Sequence, residues 1–204
     1  SHELRTPLNA IIGYGEMLQE EIADIGQIKL SGDAAKIHQA GKHLLGIIND
    51  ILDISKFEAG KMELYTETFY LPNMVKDIAH TIQPLLTKNK NTLDLSMAKD
   101  IGEMYADLTK VRQVILNLLS NACKFNQTAG TVHLEVGRES DAAGKDWIVF
   151  RVRDNGIGMS PEQQQCVFEI FRQADTSTTR KYGGMGLGLA LSKFLVEMMG
   201  GEIS

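Results

Sequence analysis

Cysteine and tryptophan are almost missing from this chain, with two of the former and one of the latter in 204 residues. Cys123 and Cys166 sit in no CxxC pair, which excludes a disulfide framework or a zinc ribbon. They read as two reduced, buried thiols. No apolar run approaches the ~18–20 residues of a membrane span, so the stretch is expected to make no membrane contact. Excess positive charge is also lacking. Lys and Arg total 21 against 26 Asp and Glu, a net charge of -5, so no nucleic-acid surface is expected. There is no signal peptide, no internal repeat and no low-complexity tract beyond TSTTRKYGG. What remains, 43% hydrophobic and 23% charged, is ordinary for a soluble globular protein. A cytoplasmic module is expected, with room for a membrane anchor elsewhere in a longer parent. The chain starts without Met, on a motif, and stops after GGEIS, as part of something longer would.

The opening SHELRTPLNA allows two readings. Thr6-Pro7 suits a helix start, since proline's missing N–H costs nothing there. Alternatively the helix runs through Pro7, which frees the carbonyl of Glu3 and bends the axis. The second reading turns His2 into a candidate nucleophile. With Leu4 as zero at about 100° per residue, His2 lies about 160° away and Thr6 about 200° away. Both then face away from the apolar seam, where a core histidine would not.

That seam is Leu4, Leu8, Ile11, Gly15, Leu18, Ile22 and Ile25, in alternating steps of four and three. Residues 26–33 (GQIKLSGD) are expected to break it. A second helix is expected over 34–58, with Ile37, Gly41, Leu44, Ile48 and Ile51 on one stripe, widened by Leu45 and Leu52. A lone hairpin of ~60 residues buries little surface, so a homodimer forming a four-helix bundle is expected.

Past Gly60 the pattern changes, giving expected domains 1–64 and 65–204 and an α+β class overall. FEAGKMELYTETFYLP ends a helix, runs extended and stops at Pro72, and 73–87 is helical. TLDLSM, TVHLEVGRES and WIVFRVRDN read as strands, the last two joined by the loop DAAGKD. Asp107 caps a long helix, LTKVRQVILNLLSNACKF. SPEQQQCVFEIF opens with a capping-box pattern, and GMGLGLALSKFLVEMM is a last helix closed by Gly200 and Gly201.

On the long helix, with Val111 as zero, Ile115, Leu118 and Ala122 lie within about 40°, while Asn117, Asn121 and Lys124 lie about 220–280° round. Two amides and an ammonium therefore share the edge of the buried face. Asn is a mediocre helix former with no cap to serve here, and an amide oxygen is a hard ligand suited to Mg²⁺. Then follow DNGIGM (154–159) and GGMGLGLALS (183–192). Asp154 can accept from an adenine amino group. Gly156 and Gly158 would leave room for the base, and Gly184, Gly186 and Gly188 would let N–H groups approach phosphates. The polar ADTSTTRKYGG between them suits a lid.

Together SHELRTPLNA, NLLSNACKF, DNGIGM, FEIFRQAD and GGMGLGLAL, in this order, resemble the transmitter core of bacterial sensor histidine kinases, over nearly the whole chain. The resemblance implies a phosphoacceptor and dimerisation hairpin, then an ATP-binding α/β sandwich similar to those of gyrase and the heat-shock chaperone ATPases. His2 resembles the phosphoacceptor, Glu3 its acidic helper, and Thr6 the residue that orients water when phosphate is removed from the partner. Asn117 and Asn121 resemble the Mg²⁺ site. Lys124 and Arg172 resemble phosphate contacts, Phe125 the neighbour of the base, and Asp154 the adenine reader. Phe168 and Phe171 resemble the aromatic anchor of the lid, or core packing at i and i+3. ATP and Mg²⁺ are the implied cofactors and a response-regulator receiver domain the implied partner. The family continues past GGEI into a strand hairpin, so an exposed sheet edge is expected here. Related ATPases carry a Glu one turn before the metal-binding Asn. Here Asn117 stands there and cannot take a proton, which favours transfer over hydrolysis.

Overall fold

The computed structural model describes residues 2–24, 28–142, 144–170, 172 and 186–204, apart from the side chains of residues 2–4, 21, 23, 24, 28 and 29. The chain divides into two compact units, Ser1–Met62 and Glu63–Ser204.

The first unit pairs α1 (His2–Asp24) with α2 (Ile28–Glu58). Their contacts run in opposite directions along the two helices. Arg5 Nε donates to Asn49 Oδ1 at 2.9 Å, and His38 Nδ1 donates to the Ile12 carbonyl at 3.1 Å. Glycines set how closely the helices approach. A Cβ on Gly15 would stand 3.2 Å from the His38 backbone nitrogen, and one on Gly41 would stand 2.8 Å from Ile12 Cγ1. Leu8 and Ala34 are buried between them. The helix does run through Pro7, as the second reading of the opening required.

Two expectations need correction. The break over 26–33 does not hold from Ile28 onward, where LSGD is already helical. Gly32 costs about 1 kcal/mol against Ala in a helix, and propagation over the rest of a 31-residue helix outweighs that. The expected stripe of α2 also splits. Gly41 faces α1, whereas Leu30, Ile37, Leu44 and Ile51, seven residues apart, stay 38–51% exposed, as do Ile11 and Leu18 of α1 at 49% and 46%. A single hairpin leaves these apolar side chains without cover.

The second unit opens with β1 (Glu67–Tyr70), which pairs antiparallel with β3 (Glu103–Ala106), Phe69 opposite Met104. Sequence periodicity missed β3, because four residues between Gly102 and Asp107 carry too short a pattern. Helix α3 (Leu71–Asn89) takes Pro72 in its first turn, where no N–H is needed. The main sheet orders β2 (Thr92–Met97), β4 (Thr131–Ser140) and β5 (Asp146–Asp154), parallel in the first pair and antiparallel in the second. Val132, Leu134 and Val136 alternate inward and are fully buried, while His133 between them is exposed. Against that face lie α3, through Val75, Ile78 and Leu86, and α4 (Leu108–Phe125), through Val111, Ile115, Leu119 and Ala122. This is the helix-on-sheet sandwich expected from the alternating elements.

Two later helices are shorter than expected. Helix α5 (Pro161–Cys166) has its capping box, with Gln163 N–H on Ser160 Oγ at 3.3 Å and Ser160 N–H on Gln163 Oε1 at 2.8 Å. It ends at Cys166 because Glu169 N–H turns back to the Cys166 carbonyl, a tighter i→i+3 bond. Helix α6 (Gly188–Met198) starts after Gly186, whose φ of +69° is incompatible with a right-handed helix. It closes on Gly200, φ +75°, with Gly201 N–H on the Val196 carbonyl.

Asp107 ties this unit together. Its side chain, 4% exposed, accepts from Lys110 N–H at the start of α4 and from Tyr65 N–H, both at 3.0 Å. Asp107→Ala removes the cap and strands both donors, so a loss of about 2–4 kcal/mol is expected. It would be read as a lower urea midpoint at unchanged slope; an unaltered midpoint would show that neither bond contributes.

Candidate functional site

Three stretches that lie far apart in sequence meet at α4. Asn117, on its polar edge, donates through Nδ2 to Ser192 Oγ of α6 at 2.8 Å. Its Oδ1 fills the space beside Gly188, where a Cβ would stand only 2.5 Å away. Gly188 therefore makes room first for the protein's own amide. Among the described residues the first turn of α6 has no side-chain cap on its N–H groups. Asn121, one turn further along α4, is half-buried, and its side chain makes no hydrogen bond among the described residues. Lys124, on the same edge, is half-buried too. Burial pushes its ammonium pKa down, and its Nζ lies 4.8 Å from the Phe125 ring centroid.

At the end of α4 the Phe125 carbonyl accepts from Ile157 N–H at 3.2 Å. Gly156 presses against that carbonyl so closely that a Cβ would overlap it. On the side where a Cβ would point, Gly156 therefore faces backbone. Gly158 touches nothing there and is required instead by its φ of +68°. Asp154 is exposed at the end of β5, and its Oδ1 accepts from Gly156 N–H at 2.9 Å, an Asx turn that holds the carboxylate upright. Ile157 and Met159, 64% and 49% exposed beside it, form an apolar pair that sequence reasoning passed over.

Arg172 is exposed and its Nε is ion-paired with Glu169 Oε2 at 2.9 Å, a surface pair that is worth little. A Cβ on Gly186 would overlap the Arg172 carbonyl. Phe168 lies outside α5, and its ring centroid is 5.8 Å from Lys193 Nζ. His2 belongs to α1 by its backbone, but the side chains of His2 and Glu3 are outside the described residues, as are Phe171 and the whole of the expected lid, Gly184 included. Thr6 is exposed on α1. The structure thus brings Asn117, Asn121, Lys124, Phe125, Asp154, Gly156 and Gly188 around one helix.

No group of three or more His, Cys, Asp or Glu side chains among the described residues could hold a metal ion. A divalent cation here would need amide and phosphate oxygens, which suits Mg²⁺. Asn117 has its nitrogen already engaged and its oxygen left over, which fits that donor set. An open cavity of about 230 Å³ lies elsewhere, on the solvent face of the sheet, lined by Asp94, His133, Glu135, Arg151 and Arg153 among others. Its polar groups mostly engage one another, His133 Nδ1 with Asp94 Oδ2 at 2.9 Å and Arg151 with Glu135, and Arg151 also reaches Glu139 outside the lining. No helix among the described residues is long and apolar enough to cross a membrane.

Comparison with known proteins agrees with this geometry. Residues 106–204 match the model for histidine kinase-, DNA gyrase B- and HSP90-like ATPases, and residues 1–60 match the His kinase A phosphoacceptor domain. The chain is 43% identical to the circadian input-output histidine kinase CikA of Synechococcus elongatus, over all of this chain and 26% of that protein. It is 35% identical to the autoinducer 2 sensor kinase/phosphatase LuxQ of Vibrio vulnificus, again over its full length and 24% of that protein. The chain thus spans about a quarter of these relatives. Among solved structures, full-length ShkA in complex with AMPPNP superposes with a TM-score of 0.76 at 28% identity, over 98% of this chain and 40% of that one. The histidine kinase AdeS of Acinetobacter baumannii shares the fold, with a TM-score of 0.65 at 21% identity, over 100% of this chain and 90% of that one. A phosphoacceptor helical hairpin followed by an ATPase-type sandwich, matched in tandem by both models, makes this chain a member of the sensor histidine kinase family, and its two units the transmitter core.

Proposed function

We propose that this transmitter core phosphorylates itself on His2 from ATP and passes the phosphoryl group to an aspartate of a response-regulator receiver domain. The observation that carries the reading is the polar edge of α4. Asn117, Asn121 and Lys124 line it between an uncapped helix start and an Asx-turned carboxylate, in a chain whose other unit matches a phosphoacceptor domain. The structure of ShkA with AMPPNP supports ATP as the nucleotide.

In this reading Asp154 accepts from the adenine amino group, and Ile157 and Met159 offer apolar surface to the base. Phe125 lies alongside. Lys124 and Arg172 face the phosphates, as do the N–H groups from Gly184 through Gly188. Asn117 and Asn121 would hold Mg²⁺, which neutralises charge on the phosphates. An unprotonated nitrogen of His2 attacks the γ-phosphorus while the bond to the β–γ bridging oxygen breaks and ADP leaves. Glu3 accepts the other ring N–H and stabilises the imidazolium that forms. Position 117 lacks the carboxylate that would activate water, which favours transfer over hydrolysis.

The first unit also supports a homodimer. Ile37, Leu44 and Ile51 of α2, with Ile11 and Leu18 of α1, are an uncovered heptad stripe that a second hairpin would bury as a four-helix bundle. Ile37→Glu with Leu44→Glu is expected to halve the molecular mass measured by sedimentation; an unchanged mass would place the interface elsewhere.

Two further outcomes test the chemistry. With γ-labelled ATP and Mg²⁺ the protein is expected to take up label that is acid-labile and alkali-stable, and His2→Ala is expected to abolish it with nucleotide binding nearly intact. Acid-stable label, or label persisting in His2→Ala, refutes the assignment. For Lys124, desolvation makes the folded state bind its proton less tightly than the unfolded chain does. Stability therefore rises with pH from the depressed folded value up to the unfolded value, and below that window the folded state carries the full penalty. Lys124→Met should hold or raise the urea midpoint at pH 7 while weakening ATP binding by about 10- to 100-fold. Unchanged affinity would remove Lys124 from the phosphates.

A further inference from the structure

We infer that Ser192 is a positioning residue for Asn117, fixing which end of its amide meets the cation; the inference rests on reading Asn117 and Asn121 as ligand amides. Ser192 is 2% exposed, among the buried Ala190, Leu191 and Leu195 of α6. A hydroxyl on an otherwise apolar inner face is costly unless it finds a partner. Here Oγ accepts from Asn117 Nδ2 at 2.8 Å, joining residues 75 apart. An amide has a donor end and an acceptor end. With the nitrogen committed to α6, the oxygen is turned to Gly188, at the uncapped start of the same helix. That is the end a hard cation needs. An asparagine without this bond rotates between two orientations, and only one offers oxygen, so the binding-competent fraction falls. Glycine at 188 completes the device, since any Cβ there would collide with the oriented oxygen.

The bond also makes Asn117 report on α6. Whatever displaces the first turns of that helix takes Ser192 with it and releases the amide. Cation affinity and the position of α6 are thereby coupled through one hydrogen bond, with no contact between Ser192 and the ligand.

The test measures the MgCl₂ concentration that half-saturates binding of a non-hydrolysable ATP analogue, alongside binding of the same analogue in EDTA. Ser192→Ala is expected to raise the Mg²⁺ requirement about 5- to 10-fold, with affinity in EDTA within about 2-fold of the parent. Ser192→Thr, which keeps the hydroxyl, restores the parent value. Ser192→Cys fills the site but accepts poorly, so it is expected to shift the requirement in the same direction even if the alanine variant does not fold. An unmoved Mg²⁺ requirement in the alanine or cysteine variant overturns the inference. So does equal weakening with and without Mg²⁺, the signature of a purely structural tie between α4 and α6. Asn121→Ala separates the two levels. If it too leaves the Mg²⁺ requirement unmoved, the ligand-amide reading fails and this inference with it; if it raises the requirement while the Ser192 variants do not, only the positioning role fails.

Discussion

A helix cannot satisfy its own last carbonyls, and the C-terminal end of α4 is where that constraint organises the second unit. The Cys123 carbonyl accepts from Asn89 Nδ2 at 3.0 Å and Asn91 Nδ2 at 3.2 Å, which fastens α4 to the end of α3 and the start of β2. The Phe125 carbonyl accepts from Ile157, which fastens it to the loop after β5. Asn126 Nδ2 donates to the Thr131 carbonyl, Asn155 Oδ1 accepts from Thr131 N–H, and Asn91 Oδ1 accepts from Gly130 N–H. Gly130 and Gly156 stand where these bonds crowd together, and a side chain at either would overlap its neighbours. The orphan groups of one helix end are thus spent on aligning the very loop that presents Asp154.

The other end of the polar edge is held by a different device. Asn117, half-buried, and Ser192, buried, form a polar pair across two helices. A half-satisfied buried pair is worse than an apolar contact, so each side chain requires the other. Between these two fixings lie Asn121 and Lys124, half-buried, the ammonium partly stripped of water. An anionic ligand would restore the solvation that folding removes. The first unit works by the opposite logic, since its outward stripe of Leu30, Ile37, Leu44 and Ile51 is a hydrophobic surface left without a cover.

Much of this was legible in the sequence. Helix α4 ran over the residues that its apolar periodicity and Asp107 cap indicated, because both signals agree over 18 residues. The β4–β5 hairpin followed from alternation and its polar loop. Short elements were not legible. β3 is four residues long, and α5 stopped at Cys166 although the apolar residues after it could have continued a helix. Gly32 looked like a breaker but lies inside α2, where cooperativity outweighs a single weak residue. The motifs pointed to Asn117, Asn121 and Asp154, which the structure gathers around α4, but they did not reveal how the glycines there are packed. Gly156, Gly186 and Gly188 clear room for the protein's own carbonyls and amide, which only the tertiary arrangement reveals. Ser192 carried a signal that went unread, a hydroxyl on the buried side of a helix whose other inward residues are apolar.

The claim on which the rest depends is that the nucleotide-bound cation sits at the amide edge of α4. Manganese(II) can replace magnesium with a non-hydrolysable ATP analogue, and its paramagnetic broadening of side-chain NMR signals reports distance. The strongest broadening should fall on the side-chain amides of Asn117 and Asn121, and fade towards His133 on the solvent face of the sheet. Strongest broadening at Asp94, His133 and Glu135, with the two amide signals intact, would put the cation on the wrong side of the sheet and contradict the site.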